Sequence, residues 1–549
     1  MNTVADHRMA VGAFETRRWL LALPALLYAL TVFPFLFRDV LGEPDLERMT
    51  LGVIYGAASG LREAAGYHYN YLVSFGYYAS LYRLLPRDVL TNSAALIAAI
   101  NYIGFVSAVI AVGMLGQYLS RLYGVLAAFI ACIVFAFSPV YLDLGTSGHP
   151  QLPGFALLLS GAWLLTFATD TRIGRLLRAG SAIGALAAFV YAMSLRADVA
   201  LAFPFITLAG RAVESASRRD WLRAAVLRLV VMALACVLWL AAEMSGYRDT
   251  EATQSGGFVA SFFATFYKLH TVPRGLIVFV LCMGVATVLG FFVLCFTRAA
   301  RGLNRAQVVA LTLLALPTLL FWLPNSTPGR HMLLAYLAVA IMIALLLSRS
   351  LRAVQAIMIA ALLPIADQVI AEVTHGPIER HYQWAYPLLT SRRATTSIPM
   401  GAFPMDHEAK QQSFELLRNE GRAFARACSG QVLVVSEEPF FMMMSLIERD
   451  PGVRLSTSQV GDFRVYRAAG SRCTADFIEK EANAHRDPLP DFLQSPRYAG
   501  WSVYFQEARR NESDRTAVPV ERRLCIDAAA RTGCPHNKAP DTTAGGPSS

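Results

Sequence analysis

The chain carries few charged residues for its length. Of its 549 residues only 16% are charged and 55% are hydrophobic, whereas an ordinary soluble domain is about 25% charged. This shortage of charge argues against a soluble cytosolic enzyme. Long apolar runs recur between residues 20 and 372, and runs of about 15 to 25 apolar residues are typical of membrane-spanning helices. The composition therefore predicts a polytopic membrane protein.

The sequence also lacks the short motifs of several large enzyme classes. It contains no GxxxxGKS or GxxxxGKT phosphate loop, no HExxH, no CxxC pair and no GxSxG elbow. Nucleotide hydrolysis, zinc proteolysis and nucleophile-elbow hydrolysis lose support for that reason.

The formal net charge of +10 does not indicate a nucleic-acid partner. Residues 1–372 hold 27 Lys and Arg against 18 Asp and Glu, so +9 of the charge lies in the apolar part of the chain. The positive-inside rule of membrane proteins explains a basic excess in that part. Nucleic acid is therefore set aside as a partner.

Eleven apolar windows predict eleven transmembrane helices. They cover residues 19–37, 94–116, 122–141, 150–168, 179–195, 197–210, 229–243, 275–297, 307–323, 332–348 and 353–371. We place residues 1–18 in the cytoplasm as a tail and let the chain cross the membrane at each window. The tail and the cytoplasmic loops then contain 17 Arg and 5 acidic residues, as the positive-inside rule requires. The first window lacks a cleavage site and should remain as an anchor. We expect a multi-pass protein of the bacterial inner membrane whose C-terminal part lies in the periplasm.

Beyond the last window the composition becomes mixed. Residues 373–534 predict a small α/β periplasmic domain, and residues 535–549 a disordered tail. Within the domain the patterning predicts helices over 406–427 and Pro439–Ile447, and strands over Gln431–Ser436, Val453–Ser456 and Phe463–Tyr466.

Four of the eight cysteines fall in this C-terminal domain. They are Cys428, Cys473, Cys525 and Cys534. An even number of cysteines in an oxidising compartment suggests two disulfides, with three possible connectivities. We favour Cys428 with Cys473 and Cys525 with Cys534.

The turn between the fifth and sixth windows holds an ionisable pair, Arg196 and Asp198. The sixth window has about 14 residues, which at 1.5 Å per residue cover about 21 Å of a hydrocarbon core about 30 Å thick. This turn is therefore predicted to lie below the outer membrane surface, where an ionisable pair indicates a functional site. The alternative is an Arg that extends to the lipid headgroups.

The first external loop, residues 38–93, is rich in acidic and aromatic residues. Four carboxylates, Asp39, Glu43, Asp45 and Glu47, follow the first window closely. A carboxylate held at the membrane surface can act as a general base, although Asp45 is also well placed to cap a helix. His68, Tyr69 and Tyr77 would line a sugar or lipid groove, or belong to an aromatic belt at the interface.

Further polar residues fall on the same predicted membrane face. They are His149, Lys268, His270, Arg330 and His331. Together with Arg196 they form a plausible phosphate-binding set, because guanidinium and ammonium groups are the usual protein ligands of phosphate. The substrate groove is also assigned Glu47, His149, Asp198 and His270.

The order of these features resembles the GT-C class of membrane glycosyltransferases, especially the family 39 protein mannosyltransferases and the lipid A sugar transferases. The matching segments, within residues 18–372, are GEPDLERMTLGVIYG, FGYYASLYRLLP, GHPQLPGFALLL, SLRADVALAFP and PGRHMLLAYLA. The resemblance implies a polyprenyl-phosphate sugar as donor and a site that faces away from the cytoplasm.

By position, Asp45 matches the acidic residue of the family's first loop, which is expected to deprotonate the acceptor hydroxyl. The family usually has a tandem Asp-Glu, whereas here Pro44 separates Glu43 from Asp45. Asp39, Glu43 or Glu47 therefore stay as alternatives for the base. Arg196, Arg330, His331 and Lys268 would bind the departing phosphate of an inverting displacement.

Cofactor and acceptor stay open at this point. The pattern Glu43, Pro44, Asp45 is able to hold a divalent cation, but cationic side chains perform the same work, so no cofactor is assigned. The acceptor is a glycan, a lipid or a protein. The alternative function is a multi-span transporter or flippase, which is disfavoured because no internal repeat is visible and the ionisable residues gather near the outer ends of the windows.

Overall fold

The described residues are mostly helical before residue 382 and form both helices and strands after residue 417. A computed structural model describes residues 18–36, 81, 83–146, 151–209, 218–246, 272–297, 300, 302–323, 329–381, 418–436, 439–450, 452–460, 463–479, 496–508 and 520–523. The chain divides into two compact units, Met1–Gln411 and Gln412–Ser549. We call them the membrane unit and the sheet unit.

The membrane unit is built from helices. They are α1 (Ala22–Val32), α2 (Arg87–Leu90), α3 (Ser93–Tyr123), α4 (Val125–Ala136), α5 (Pro139–Thr146), α6 (Gln151–Ala168), α7 (Arg175–Leu195), α8 (Phe203–Ala209), α9 (Arg218–Gly246), α10 (Val272–Met283), α11 (Val285–Cys295), α12 (Arg305–Trp322), α13 (Leu333–Ser350) and α14 (Ala353–His381). Short 3-10 turns cover Arg18–Leu21, Phe33–Phe35, Ala197–Ala202 and Gly329–Met332. Each predicted apolar window coincides with one or more of these helices, so the polytopic helical fold is confirmed.

The number of membrane crossings is a separate question from the number of helices. Among the described residues, six helices are long and apolar enough to cross a membrane, and a bent pair raises the number to seven. Four further apolar helices have 10–17 residues, and at 1.5 Å per residue they are shorter than a hydrocarbon core of about 30 Å. Eleven crossings therefore stay a prediction.

The helices differ in how deeply they are buried. In α13, 72% of the apolar window is buried inside the protein, whereas in α7 and α14 the share is 28%. The exposed faces of the latter carry large apolar side chains such as Leu362 and Ile365. Helix α13 therefore lies at the centre of the unit, while α7 and α14 present apolar faces suited to lipid.

The single helix predicted over 275–297 is two helices in the structure. Helices α10 and α11 meet at Gly284 with a bend of 94° between Gly275–Met283 and Val285–Cys295. Gly284 has φ +107°, a conformation that is open to glycine and unfavourable for residues with a Cβ atom. Apolar periodicity could not reveal this break because both halves are apolar.

Two buried tyrosines join α1 to the centre of the unit. The Tyr28 hydroxyl donates to the Tyr141 carbonyl at 2.9 Å, and the Tyr141 hydroxyl donates to the Ala108 carbonyl at 2.9 Å. A Cβ atom at position 145 would stand 1.9 Å from the Tyr28 hydroxyl, so Gly145 permits the close approach. These bonds hold the helix that leads into the predicted acidic loop.

The sheet unit contains one six-stranded sheet. Its strands are β1 (Gly430–Ser436), β2 (Arg454–Val460), β3 (Phe463–Ala469), β4 (Cys473–Glu479), β5 (Ser502–Ala508) and β6 (Val520–Arg523) in the order β2-β3-β4-β1-β5-β6. Strand β1 pairs in parallel with β4 and β5, and the remaining pairs are antiparallel. The predicted α/β character and the predicted strands β1, β2 and β3 are confirmed.

Different side chains pack on the two faces of the sheet. Helix α15, residues 418–427, reaches one face, where Phe424 packs on Phe477 and Tyr504. Tyr498 and Trp501 pack against the other face. Helix α16 (Phe440–Arg449) follows β1 and confirms the helix predicted after Pro439.

A disulfide joins Cys428 to Cys473, just before β1 and at the start of β4. This pairing was predicted and is confirmed. Cys525 and Cys534 lie outside the described residues.

Candidate functional site

Arg196 stands where the chain leaves α7. Its backbone is extended, with φ −154° and ψ 107°, while its N–H still donates to the Ala192 carbonyl at 2.8 Å. The next residues form the 3-10 turn Ala197–Ala202, which leads into α8. The turn predicted between the fifth and sixth windows is therefore present at the expected residues.

The side chain of Arg196 is buried and held by two other predicted residues. Its Nε and Nη2 donate to the Asp198 carboxylate at 3.0 and 2.6 Å, and Nη2 lies 2.9 Å from Nδ1 of His331. The side chains of Arg196 and Asp198 are 3% and 10% exposed. The fold thus joins two turns that are 135 residues apart in the sequence into one polar cluster, which we call the Arg196 cluster.

The hydrogen bond to His331 defines the state of its ring. Arginine has only donors, so Nδ1 of His331 accepts, and the ring proton of the neutral imidazole is assigned to Nε2. The cluster then holds one guanidinium, one carboxylate and one neutral imidazole, with no net charge of its own. A phosphate bound here would need further cations, which the predicted set includes in Arg330 and Lys268.

The His331 ring has a stacking partner that sequence reasoning missed. Trp322, the last residue of α12, stacks on it with ring centroids 4.3 Å apart and an angle of 17° between the planes. His331 itself lies in the 3-10 turn Gly329–Met332, just before α13. Trp322 therefore fixes the orientation of the imidazole that receives the Arg196 hydrogen bond.

A glycine gives Arg196 the space it occupies. A Cβ atom at position 154 would stand 3.3 Å from the Cβ of Arg196, so Gly154 lets α6 pass close to the turn. Gly154 belongs to the segment GHPQLPGFALLL, Arg196 to SLRADVALAFP and His331 to PGRHMLLAYLA. Three of the five segments that resemble the GT-C class therefore meet at the Arg196 cluster.

The cluster leaves one nitrogen of the guanidinium for a ligand. Within the part of the chain that the structure describes, the hydrogen bonds of Arg196 use Nε and Nη2 and leave Nη1 without a partner. Guanidinium groups bind phosphate oxygens through such paired N–H groups. Chemically, Arg196 is a buried guanidinium held in place within a neutral cluster, and it can donate to an anionic oxygen.

The remaining predicted site residues lie outside the described residues. They are Asp39, Glu43, Asp45, Glu47, His68, Tyr69, Tyr77, His149, Lys268 and His270. For Arg330 the backbone belongs to the same turn as His331, but its side chain is not among the described ones. Their roles stay predictions.

No metal site is found among the described residues: they contain no group of three or more His, Cys, Asp or Glu able to hold an ion. The carboxylates Glu43 and Asp45, for which a divalent cation was considered, belong to the part that is not described. Oxygen ligands of this kind suit a hard cation such as Mg²⁺. Metal dependence therefore stays open.

A second buried polar group lies at the bend between α10 and α11. Asp367 of α14 is 2% exposed, and its carboxylate accepts the backbone N–H of Ala286 at 2.5 Å and that of Thr287 at 3.3 Å. The Thr287 hydroxyl also donates to it. Backbone groups without a partner in a membrane cost on the order of several kcal/mol each, so this carboxylate stabilises the start of α11.

The sequence carried a signal for Asp367. Within the predicted apolar windows, Asp198, Glu243 and Asp367 are the acidic residues, and an ionisable residue inside such a window indicates a functional role by default. Its partner could not be named, because the break at Gly284 is not visible in the apolar pattern.

Comparisons with known proteins concern the fold. Neither a family model nor a curated protein matches the sequence. Among solved structures, the chain is similar to ArnT from Cupriavidus metallidurans in the apo state, with 15% identity, coverage of 76% of this chain and 83% of that one, and a TM-score of 0.46. For the same protein bound to undecaprenyl phosphate, the identity is 14%, the coverage is 76% of this chain and 84% of that one, and the TM-score is 0.46.

The chain is also similar to the oligosaccharyltransferase of Archaeoglobus fulgidus in complex with Zn and sulfate. Identity is 13%, coverage is 78% of this chain and 61% of that one, and the TM-score is 0.42. At these identities the likeness concerns the fold alone.

Proposed function

We propose that the protein is a membrane glycosyltransferase that moves a sugar from a polyprenyl-phosphate donor to an acceptor hydroxyl on the periplasmic side. The Arg196 cluster carries the proposal, because the fold brings Asp198 and His331 to the buried guanidinium of Arg196. A buried arginine in a membrane protein, with one nitrogen that has no partner among the described residues, is suited to the phosphate of a lipid-linked donor.

The arginine would act on the charge that develops as the sugar leaves. In a direct displacement the bond between the anomeric carbon and the phosphate oxygen breaks, and the negative charge of the phosphate grows. Asp198 and His331 hold the guanidinium in place for this contact. Arg330 and Lys268 supply the net positive charge that the Arg196 cluster itself lacks.

The acceptor hydroxyl needs a base on the opposite side of the anomeric carbon. Asp45 takes this role in the proposal, with Asp39, Glu43 or Glu47 as alternatives, and the displacement inverts the anomeric centre. His68, Tyr69, Tyr77, His149 and His270 line the substrate groove. The acceptor is a glycan, a lipid or a protein, and a divalent cation at Glu43 and Asp45 would orient the acceptor.

The test measures release of undecaprenyl phosphate from a panel of undecaprenyl-phosphate sugars by purified protein, with membrane extract as acceptor. Arg196→Ala should lower release by about 100-fold, as for other groups that stabilise transition-state charge. Asp45→Asn should lower it by about 100-fold or more.

Arg349→Ala is the matched control. Arg349 is an arginine of the same unit that also makes two hydrogen bonds, to the Gly302 carbonyl and to Gln307, but it lies at the predicted cytoplasmic end of α13. This variant should keep most of the activity. Unchanged release by Asp45→Asn would move the base to Asp39, Glu43 or Glu47, and unchanged release by Arg196→Ala would contradict the role of the cluster.

The alternative, a transporter or flippase, is favoured by one observation. A helix broken at Gly284 beside the buried carboxylate of Asp367 is a feature of transporter sites. Here, however, that carboxylate is occupied by the start of α11. Folded wild-type protein that releases no undecaprenyl phosphate from any donor, but moves a lipid-linked sugar across a vesicle membrane, would establish the alternative.

A further inference from the structure

The carboxylate of Asp367 accepts several hydrogen bonds from the start of α11. Its two carboxylate oxygens accept from two successive backbone N–H groups, of Ala286 and Thr287, and from the Thr287 hydroxyl. The first turn of a helix has N–H groups without intrahelical partners, and a carboxylate there is favoured by the helix dipole as well. One side chain of α14 thus stabilises the start of α11.

The carboxylate of Asp367 lies directly against the bend at Gly284. A Cβ atom at position 284 would stand 2.1 Å from Oδ2 of Asp367, so the glycine and the carboxylate are in direct contact. The positive φ of Gly284 and the bonds from Asp367 therefore define the same 94° bend.

The half-helix before the bend, α10, packs against the elements that carry the Arg196 cluster. It contacts the turn Gly329–Met332, which holds His331. A Cβ atom at position 275 would stand 2.5 Å from the carbonyl oxygen of Leu323, so α10 passes directly against the residue after Trp322. Phe279 of α10 also stacks on Tyr336, with ring centroids 5.0 Å apart.

These contacts form a continuous path from Asp367 to His331. The carboxylate defines the bend at Gly284, the bend sets the direction of α10, and α10 supports the turn of His331 on one side and the end of α12 on the other. Trp322, at that end of α12, stacks on the His331 ring. The Arg196 cluster therefore depends on where α10 lies.

We propose that Asp367 is a positioning residue of the donor site: by holding the bend at Gly284 it keeps α10 against the turn that carries His331. The role in catalysis rests on the proposed function, whereas the mechanical link between Asp367 and His331 does not. Without the carboxylate the N–H groups of Ala286 and Thr287 lose their partners, the bend relaxes, and the His331 turn loses its support.

The first experiment follows hydrogen exchange of the full-length protein in nanodiscs. Asp367→Ala should raise exchange at the start of α11 and, through α10, about 10-fold in the peptide that contains residues 329–332. Asp367→Asn keeps an acceptor for the Ala286 N–H and should restore most of the protection. Gln368→Ala is the matched control, because Gln368 is the adjacent polar residue of α14 and takes no part in these bonds.

The second experiment separates positioning from loss of folded protein. Misfolding lowers the number of active molecules, so kcat falls while KM is unchanged. A displaced donor site should raise KM for the undecaprenyl-phosphate sugar and lower kcat/KM by about 10-fold, with rescue by Asp367→Asn, since small misplacements of a reacting group have large effects on rate.

The outcomes distinguish the two proposals. If exchange rises at the start of α11 but not at residues 329–332, Asp367 is a local cap and the inference is wrong. If exchange rises at both places and no donor is consumed by the wild type, the mechanical link holds and the proposed function fails. If kcat falls in Asp367→Ala with KM unchanged, and Asp367→Asn gives no rescue, the positioning role is contradicted.

Discussion

Among the described residues, each unit contains an arginine bound to an aspartate through both carboxylate oxygens, but the two pairs differ in which ions are buried. In the membrane unit the Arg196 and Asp198 side chains are 3% and 10% exposed. In the sheet unit Asp476 is 0% exposed, while the side chain of Arg467 is 34% exposed. The first pair buries both ions, whereas the second buries the anion and leaves the cation partly exposed.

The two pairs also differ in their additional hydrogen-bond partners. Around Asp476 the other groups, Arg497 at 3.3 Å and the Tyr498 hydroxyl at 3.2 Å, are donors to the carboxylate. Around Arg196 the additional partner is His331, an acceptor for the guanidinium. Asp476, which accepts hydrogen bonds from three side chains, therefore has a structural role. In the membrane unit, the described residues provide no acceptor for Nη1 of Arg196, as a binding site requires.

The largest effect is expected when the buried arginine loses its counterion. Asp198→Ala leaves the Arg196 guanidinium buried with only His331 beside it, and removing one partner of a buried ion pair costs about 3 to 5 kcal/mol. Hydrogen exchange across the end of α7 and the turn Ala197–Ala202 should show this loss as a lower opening free energy. Exchange equal to that of the wild type would show that water reaches the guanidinium in the native state.

A double variant sharpens this prediction. Arg196→Met with Asp198→Leu replaces the pair by apolar side chains of similar size, which is often neutral or stabilising. Stability should return while release of undecaprenyl phosphate does not. Recovery of both would mean that the pair serves the fold alone.

The next largest effect is expected in the sheet unit, from Arg467→Ala. This variant leaves the fully buried Asp476 with Arg497 and Tyr498, and we expect a loss of about 3 kcal/mol, measured by hydrogen exchange of β4 in the full-length protein. Asp476→Ala should cost less, because the half-exposed guanidiniums of Arg467 and Arg497 are then solvated by water. The reverse order would contradict the reading that Asp476 is the centre of this cluster.

The sequence was sufficient to predict the helices and the strands β1, β2 and β3, and it was insufficient to predict the polar contacts. Apolar windows found the helices because lipid demands long apolar runs. Arg196 and Asp198 were found because two neighbouring charges stand out in such a run, and His331 because it opens another. Trp322, Gly154 and the Asp367 cap were missed, since each depends on two helices that are distant in sequence, and β4 to β6 were missed because no clear alternation of apolar residues marks them.

A smaller effect is expected from Tyr498→Phe. Burial, and then the negative charge of Asp476, raise the pKa of the Tyr498 hydroxyl above its ordinary value, so the neutral form is favoured in the folded protein. The stability that this gives is fully present below about pH 10 and is lost as the pH rises towards the raised pKa. Removing the hydroxyl should cost about 1 kcal/mol near neutral pH. In an alkaline absorbance titration of the folded protein, the difference between wild type and variant should show one tyrosine that ionises late.

The smallest effect is expected at Asp450, whose hydrogen-bonded carboxylate is exposed to water. The backbone N–H of Ser471, then its hydroxyl, and then the N–H of Gly452 hold the pKa of the Asp450 carboxyl below its ordinary value. Its contribution is present above the unfolded pKa, about 4, and is lost as the pH falls through the lowered one. Asp450→Asn should therefore flatten the decrease in thermal stability between neutral and acid pH only slightly. A decrease as steep as that of the wild type would assign the acid sensitivity of the sheet unit to other carboxylates, whereas a complete loss of the decrease would make Asp450 its main source.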